Sequence, residues 1–399
     1  MRILFVNYVN FLESALPEGV ALLITILKNQ GHQVELFDTT FLKTRAEAKP
    51  GKKKPKQMVL YKTTACDLES LVADDPEVDI KAEFLKVVDR FKPSLIAVSA
   101  MTTNYEKSLE LIKGSGLRAK VIFGGVHPTL MPEDVIREKN VDFICVGEGE
   151  DALPELCAYM EGKGDYGSIK NLYFKESSGK IRENSLRPFV SLDSLPVLNL
   201  DLFDDRHFFR PFMGNIYKGI FISTSRGCPR GCAYCVNNRL RSIFKECGRS
   251  YIRFQSPNIV ARNLRYLKEK YGITWIKFSD DTFLMRPLKD LYEIRDLIKP
   301  LNIMFGCSVD PGTVLDEKVK IAKEMGCVAM SIGVETGNEK IRKYVLGRNI
   351  SNEQIKRAVD TVKKHGIKIS TFNMVGLPGE TKKNVFETIR LNKDLGVPD

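Results

Sequence analysis

Three cysteines, Cys228, Cys232 and Cys235, stand in the stretch SRGCPRGCAYC with the spacing C-x3-C-x2-C. Thiolates this close can hold a metal or a cluster. A structural zinc needs four ligands, usually as two paired groups. No second C-x2-C exists, and the histidines are His32, His127, His207 and His365. A redox pair made of Cys232 and Cys235 leaves Cys228 without a part. A 4Fe-4S cluster on three thiolates keeps one iron free of protein, which is useful where another molecule must bind that iron. Gly227, Pro229 and Gly231 favour an irregular loop that can wrap a compact cluster and aim backbone N–H groups at sulfur. The spacing and its setting therefore favour the cluster.

The elements that must carry this loop follow from periodicity. From Tyr217 onward, apolar runs alternate with amphipathic patterns: GIFIST before the cysteines, then ITWIKFSDD, NIMFGCS, VAMSIGVETG and IKISTFNMVG, each followed by a helical segment. Serial strand–helix pairs close into a barrel or partial barrel, with chemistry in the loops at the strand C-termini. The cysteines follow the first such strand. The sequence runs out at GVPD, where a sixth strand is expected to begin, so the barrel is expected to be a partial (β/α)6, truncated before that strand.

Ahead of it, RILFV, QVELF, SLIAVS, KVIFGG and DFICVGEGE alternate with helical patterns, and the class is α/β with a parallel sheet. The reading divides the chain into a doubly wound, Rossmann-like domain over 1–162, a hairpin and extended linker over 163–215, and the barrel over 216–399. NLYFKESSGKIREN is the hairpin, turning at Ser178 and Gly179, and LDSLPVLNLDLFD the Pro-bearing linker.

Composition narrows the class. Hydrophobic content of 43% and charged content of 28% suit a soluble globular chain, and no apolar run approaches a membrane span. The other six cysteines (Cys66, Cys145, Cys157, Cys247, Cys307, Cys327) are scattered, which suits a reducing compartment. The start MRILFVNYVN reads as a strand and not a signal peptide, so the expected location is cytoplasmic. The net charge of +11 is spread along the chain apart from Lys49 to Lys56, a solvated basic loop, and nucleic acid is not an expected partner.

C-x3-C-x2-C with Tyr234 before the last cysteine, after the first barrel strand, resembles the radical S-adenosylmethionine (SAM) superfamily. The resemblance implies that SAM chelates the fourth iron through its amino and carboxylate groups, and that electron transfer into its sulfonium gives methionine and a 5'-deoxyadenosyl radical. It extends to three further segments. FSDDTF is similar to the segment that meets the SAM amino group, through Asp280 or Asp281. IGVETG, with Gly333 and Glu335, is similar to the ribose-contacting segment. MVGLPGET, with Gly376 and Gly379, is similar to the loop beside the adenine, and Tyr234 becomes a candidate adenine contact. One departure is that Ser308 stands where relatives often carry an arginine, which leaves no base there for the SAM carboxylate.

The arrangement of domains resembles the cobalamin-binding class of that superfamily, with its methyltransferases and cyclases. The corresponding pieces are AVSAMTTN with Ser99 and Thr102, FGGVHP with Gly124 and Gly125, and VGEGE with Gly147 and Glu148, all after strands. Many such domains carry Asp-x-His-x-x-Gly after the first strand; here NYVNFLESALPEG has no histidine, so cobalt would lack that ligand, and His127 reads as a loop or capping residue. The implied cofactors are the 4Fe-4S cluster, SAM and cobalamin. The implied partners are a small-molecule substrate and an electron donor such as a flavodoxin or ferredoxin. The expected reaction is C-methylation or cyclisation at an unactivated carbon. Two other readings stand beside it: a radical SAM enzyme that modifies tRNA, and a corrinoid- or iron-sulfur-binding fragment without catalysis.

Overall fold

A computed structural model of the protein describes residues 1–10, 16–44, 77–176, 178–245, 247–248 and 250–397. The basic run Lys49 to Lys56, Cys66 and most of the loop after the first strand lie outside them.

The front sheet is built from β1 (Arg2–Asn7), β2 (Gln33–Asp38), β3 (Leu95–Ser99), β4 (Lys120–Gly124), β5 (Phe143–Cys145), β6 (Leu172–Lys175) and β7 (Ile181–Glu183). Their order, β2-β1-β3-β4-β5-β6-β7, is parallel through β5, with the last two strands antiparallel. The order reverses between β1 and β3, and an open α/β sheet places its ligand crevice at such a point. Alternate side chains serve the two faces: Ile3, Phe5, Leu95 and Ala97 pack on one, Leu4, Val6, Ile96 and Val98 on the other. The hairpin turning at Ser178 and Gly179 is present, and it lengthens this sheet by pairing with β5.

The second sheet contains β8 (Phe209–Phe212) and β9 (Asn215–Ile222). A short ribbon of β10 (Ser225–Arg226) and β11 (Arg253–Phe254) follows. β12 (Trp275–Phe278), β13 (Met304–Val309), β14 (Cys327–Glu335) and β15 (Lys368–Asn373) complete it. The order is β15-β14-β13-β12-β9-β8, parallel from β9 to β15. β8 is an antiparallel addition near the end of the 163–215 stretch that sequence reading gave to the hairpin and extended linker. Arg210 and Pro211 break its alternation, and the tight turn at Met213 and Gly214, both at positive φ, makes the pairing.

The two halves share one apolar cluster. Ile3, Val20 and Ile24 of the front half belong with Ile222, Leu264 and Ile276 of the barrel half. The strap between them is stapled to both sides: Asn199 N–H donates to Thr25 Oγ1 at 2.8 Å, Leu200 N–H to the Tyr271 hydroxyl at 2.8 Å, and Ser256 N–H to Asp193 Oδ1 at 2.7 Å. His207, buried, meets Asp38 at 2.8 Å. Among the described residues no helix is long and apolar enough to cross a membrane.

Candidate active site

The cysteine loop leaves β10 and enters the helix Val236–Ile243. Its shape is held by partners outside it: Arg241 donates to the carbonyls of Cys228 and, at 2.7 Å, of Arg230, and the loop's own Ala233 N–H donates to the Leu346 carbonyl at 3.0 Å. N–H groups also point at sulfur, from Arg230 N to Cys228 Sγ at 3.5 Å and from Asn237 Nδ2 to Cys235 Sγ at 3.7 Å. Burial pushes the thiols of Cys228 and Cys232 up, so their thiolates call for a compensating cation. Among the described residues no three His, Cys, Asp or Glu side chains converge on a point where one metal ion would sit. A cuboidal cluster makes no such demand, since each thiolate holds a different iron.

Across the barrel mouth lies a network that sequence reading missed. Arg348, 6% exposed, donates through Nη1 to Glu335 at 2.6 Å and to the Tyr234 hydroxyl at 3.2 Å, and through Nη2 to Asp310 at 3.1 Å. Its Nε is buried and has no partner. Arg230 reaches the other Asp310 oxygen at 2.5 Å. Arg348 comes from the loop after the π-helical turn Ile341–Val345, far along the chain from Ser308. Arg342, wholly buried, fixes that loop by donating to the carbonyl of Ile350 at 2.9 Å and to Asn352 at 2.7 Å. The available sequence sign was an arginine beside a glycine, Arg348 in LGRN.

Glu335 sits at φ +66, where β14 shifts register against β15. A left-handed glutamate costs roughly 1–3 kcal/mol, and such strain gathers at functional sites. Gly333 gives the pair its space, for a Cβ there would lie 2.5 Å from Glu335 Oε1 and 2.8 Å from Arg348 Nη1.

The two aspartates part company. Asp280 is buried, accepts from the Thr224 and Ser225 hydroxyls, and has its carboxyl pushed up by burial. It ties the end of β12 to the strand before the cysteines, so its oxygens are engaged by protein hydroxyls. Asp281 is exposed, accepts from Asn237 at 2.7 Å and lies beside Cys228. Gly376 and Gly379 lie in an open loop after β15, closed on itself by Glu380, which accepts from Gly376 N–H at 2.7 Å.

Between the halves lies a cavity of about 370 Å³. Ser99, Gly124, Gly125, Gly147 and Glu148 form one wall, Ile222 to Arg226 the other, and Leu195 to Leu198 of the strap a third. Gly125 and Gly147 have φ of +100 and +89, and a Cβ would come within 2.8 Å of the Ala100 carbonyl oxygen and 2.5 Å of the Phe244 ring. Only glycine fits there. Thr102 lies outside the cavity, exposed, with its hydroxyl 3.1 Å from His127 Nδ1, because the helix begun at Asn104 turns it outward. His127 stacks on Tyr105 at 4.1 Å. Glu148 is spent on protein: it accepts from Arg226 at 2.7 Å, Arg253 at 2.6 Å and Val190 N–H at 3.0 Å. Arg226 also pairs with Glu150 at 2.6 Å. Glu18, at the start of the first helix, accepts from Ser223 N–H at 2.9 Å and its hydroxyl at 2.8 Å.

Residues 222–391 match the family model of the Radical SAM superfamily, and residues 63–157 that of the B12 binding domain. An uncharacterized methyltransferase of Pyrococcus horikoshii is 28% identical over 79% of this chain and 67% of its own length. The anaerobic magnesium-protoporphyrin IX monomethyl ester cyclase of Rubrivivax gelatinosus is 23% identical over 77% of this chain and 55% of its own. The structure of the cobalamin-dependent S-adenosylmethionine radical enzyme OxsB, with aqua-cobalamin and S-adenosylmethionine bound, superposes with a TM-score of 0.71 at 19% identity. It covers 98% of this chain and 51% of its own. The chain thus spans 51 to 67% of the length of these proteins, and the structural likeness bears on the fold.

Proposed function

Because the chain belongs to the radical SAM superfamily, in the group that carries a B12-binding domain ahead of the barrel, we propose that Cys228, Cys232 and Cys235 hold a 4Fe-4S cluster and that SAM completes it. The observation that carries this reading is one of place. The cavity wall Ile222 to Arg226 runs straight into the cysteine loop, so the glycine-edged crevice of the front sheet and the barrel mouth open on the same region.

Each group has residues suited to it. Three partly buried thiols with N–H donors on sulfur suit a cluster. Arg348, with an unpartnered buried Nε, suits a carboxylate, and Asp281 suits an ammonium. Glu335 can accept from sugar hydroxyls while its other oxygen stays on Arg348. The glycine-walled cavity suits the nucleotide tail of cobalamin, and exposed Met101, Val126 and Met131 at the same sheet edge suit the flat face of a corrin. When bound, the cluster and SAM supply one-electron chemistry at a sulfonium, and cobalamin supplies a transferable methyl group.

The chain's own residues bind, orient and exclude water. Arg348, Glu335, Asp310 and Tyr234 form one pre-paired network, so the site needs little reorganisation when a ligand arrives. The strap and the shared apolar cluster keep the space between the halves dry. The product is C-methylated or cyclised at an unactivated carbon of a small molecule, with electrons from a donor of the flavodoxin or ferredoxin kind. The test is anaerobic reconstitution with iron and sulfide, then SAM and dithionite, with and without hydroxocobalamin. Cluster absorbance and 5'-deoxyadenosine are expected, both lost in Cys232→Ala. A reconstituted protein that shows neither refutes the reading, and one that loads a cluster but takes up no hydroxocobalamin refutes the front-domain part.

A further inference from the structure

The barrel strands present a second, unassigned set of groups. Ile220, Ile222, Ile276, Phe278, Phe305, Cys307, Met330 and Ile332 pack toward the helices. The alternate residues therefore face the lumen. In register across neighbouring strands these are Gly219 with Trp275, Phe221 with Lys277, Lys277 with Gly306, Ser308 with Ser331, and Ser331 with Ser370. Arg210 of β8 joins the same face, its guanidinium 5.1 Å over the Phe221 ring.

Among the described residues, Arg210, Trp275 and Lys277 have few acceptors for their donors. Arg210 Nε and Nη2 are sealed from solvent and unpartnered, and its one hydrogen bond runs from Nη1 to the neighbouring Phe209 carbonyl at 3.4 Å. Trp275 is 7% exposed, and its Nε1 is buried without a partner. Lys277 Nζ meets only the Ser331 hydroxyl at 3.4 Å, and that hydroxyl lies 2.9 Å from Ser370 Oγ. The ionisable groups that act on Lys277 are the thiols Cys307 and Cys327, and nothing but burial acts on Arg210. Among the described residues no carboxylate pairs with either cation. Guanidinium, ammonium and indole N–H can only donate, and a desolvated cation without a counter-charge is costly. Gly306 faces the same groups: a Cβ there would make ordinary contact with Lys277 Cδ at 3.6 Å and the Trp275 ring at 3.7 Å.

We propose that the barrel lumen below the SAM site binds the anionic end of the substrate, a carboxylate or a phosphate or phosphonate, between Arg210 and Lys277, with Trp275 Nε1 and the serine hydroxyls as further donors. Calling the ligand a substrate rests on the radical SAM reading above; the anion site itself does not. Lys277 lies four residues before Asp281, so their Cα atoms are no more than about 13 Å apart at ~3.3 Å per residue. A substrate could then be anchored at one end with its reacting carbon toward the mouth.

Trp275 is the chain's single tryptophan, so the protein carries its own reporter. The reconstituted protein is titrated at constant ionic strength with inorganic phosphate, with methylphosphonate, with acetate, and with glycerol as the neutral control, following tryptophan emission. A saturable change with phosphate and methylphosphonate, or with acetate, is expected, and the tighter probe identifies the class. The affinity should fall at least tenfold in Lys277→Met and in Arg210→Gln and recover in part in Arg210→Lys, with cluster absorbance and far-ultraviolet circular dichroism unchanged in Lys277→Gln, the milder variant. No saturable change with any anion, an equal change with glycerol, or wild-type affinity in folded Lys277→Gln overturns the site. A flat titration in a protein that makes 5'-deoxyadenosine removes the anion site alone; a saturable one in a protein that makes none removes the radical reading alone.

Discussion

Replacing Glu148 with glutamine separates two roles for one residue. Its carboxylate, 13% exposed, joins the front sheet to Arg226 and Arg253 of the barrel half and to Val190 of the strap. Hydrogen bonds to a charged group contribute about 1.5–3 kcal/mol each. Glutamine keeps one acceptor and Arg226 keeps Glu150 at 2.6 Å, while Arg253 is left with the Val190 carbonyl at 2.9 Å. The loss is therefore one to two charge-assisted bonds, about 1.5–6 kcal/mol at neutral pH. The pH dependence carries a sign. Burial pushes the Glu148 carboxyl up, but the hydrogen bonds and charges of Arg253 and Arg226 outweigh it and hold it below its ordinary value. The stabilisation is complete above the ordinary carboxylate range and is lost as pH falls through the depressed folded value, so wild type and Glu148→Gln should converge in acid. Urea unfolding at several pH values measures the gap, and a double-mutant cycle with Arg253→Met should give a coupling of about 1–3 kcal/mol. Unchanged stability at pH 7, together with a tenfold loss of hydroxocobalamin affinity, would refute the clamp and restore the cofactor contact that the sequence suggested.

Gly333→Ala forces Glu335 and Arg348 apart and should weaken SAM binding at least tenfold while cluster absorbance stays; equilibrium dialysis with labelled SAM checks it. Asp281→Asn should lower SAM affinity with little effect on unfolding, whereas Asp280→Asn should destabilise the fold by about 1–3 kcal/mol through its buried hydroxyl partners, and the two variants together test the division between neighbouring aspartates. Glu18 is pushed up by burial, so the folded state favours its protonated form and loses stability as pH rises above the ordinary carboxylate value. Glu18→Gln should flatten that loss, which thermal melts across pH 5 to 8 record. Gly147→Ala meets both the Phe244 ring and a left-handed backbone, and should cost more than about 1 kcal/mol and reduce corrinoid uptake measured by absorbance.

Local spacing was enough for the cysteine loop, for the two strand–helix series and for the order of the segments that end each strand, because periodicity and turn residues act over a few neighbours. The hairpin at Ser178 and Gly179 was legible for the same reason, but not its docking on β5, since a strand edge accepts whatever the tertiary packing brings. Asp280 and Asp281 are indistinguishable as letters; only the approach of Thr224 and Ser225 buries one and leaves the other at the mouth. Arg348 and Glu148 exchanged expectations for the same cause. The guanidinium near Asp310 and Glu335 comes from a distant loop fixed by Arg342, and the Glu148 carboxylate is paired with arginines from the other half. Sequence determined which backbone segments reach the site, because secondary structure is a local balance of propensity and pattern. Tertiary structure decided which side chains remain free to act there, because charge pairing and burial depend on residues that meet only when the chain is folded.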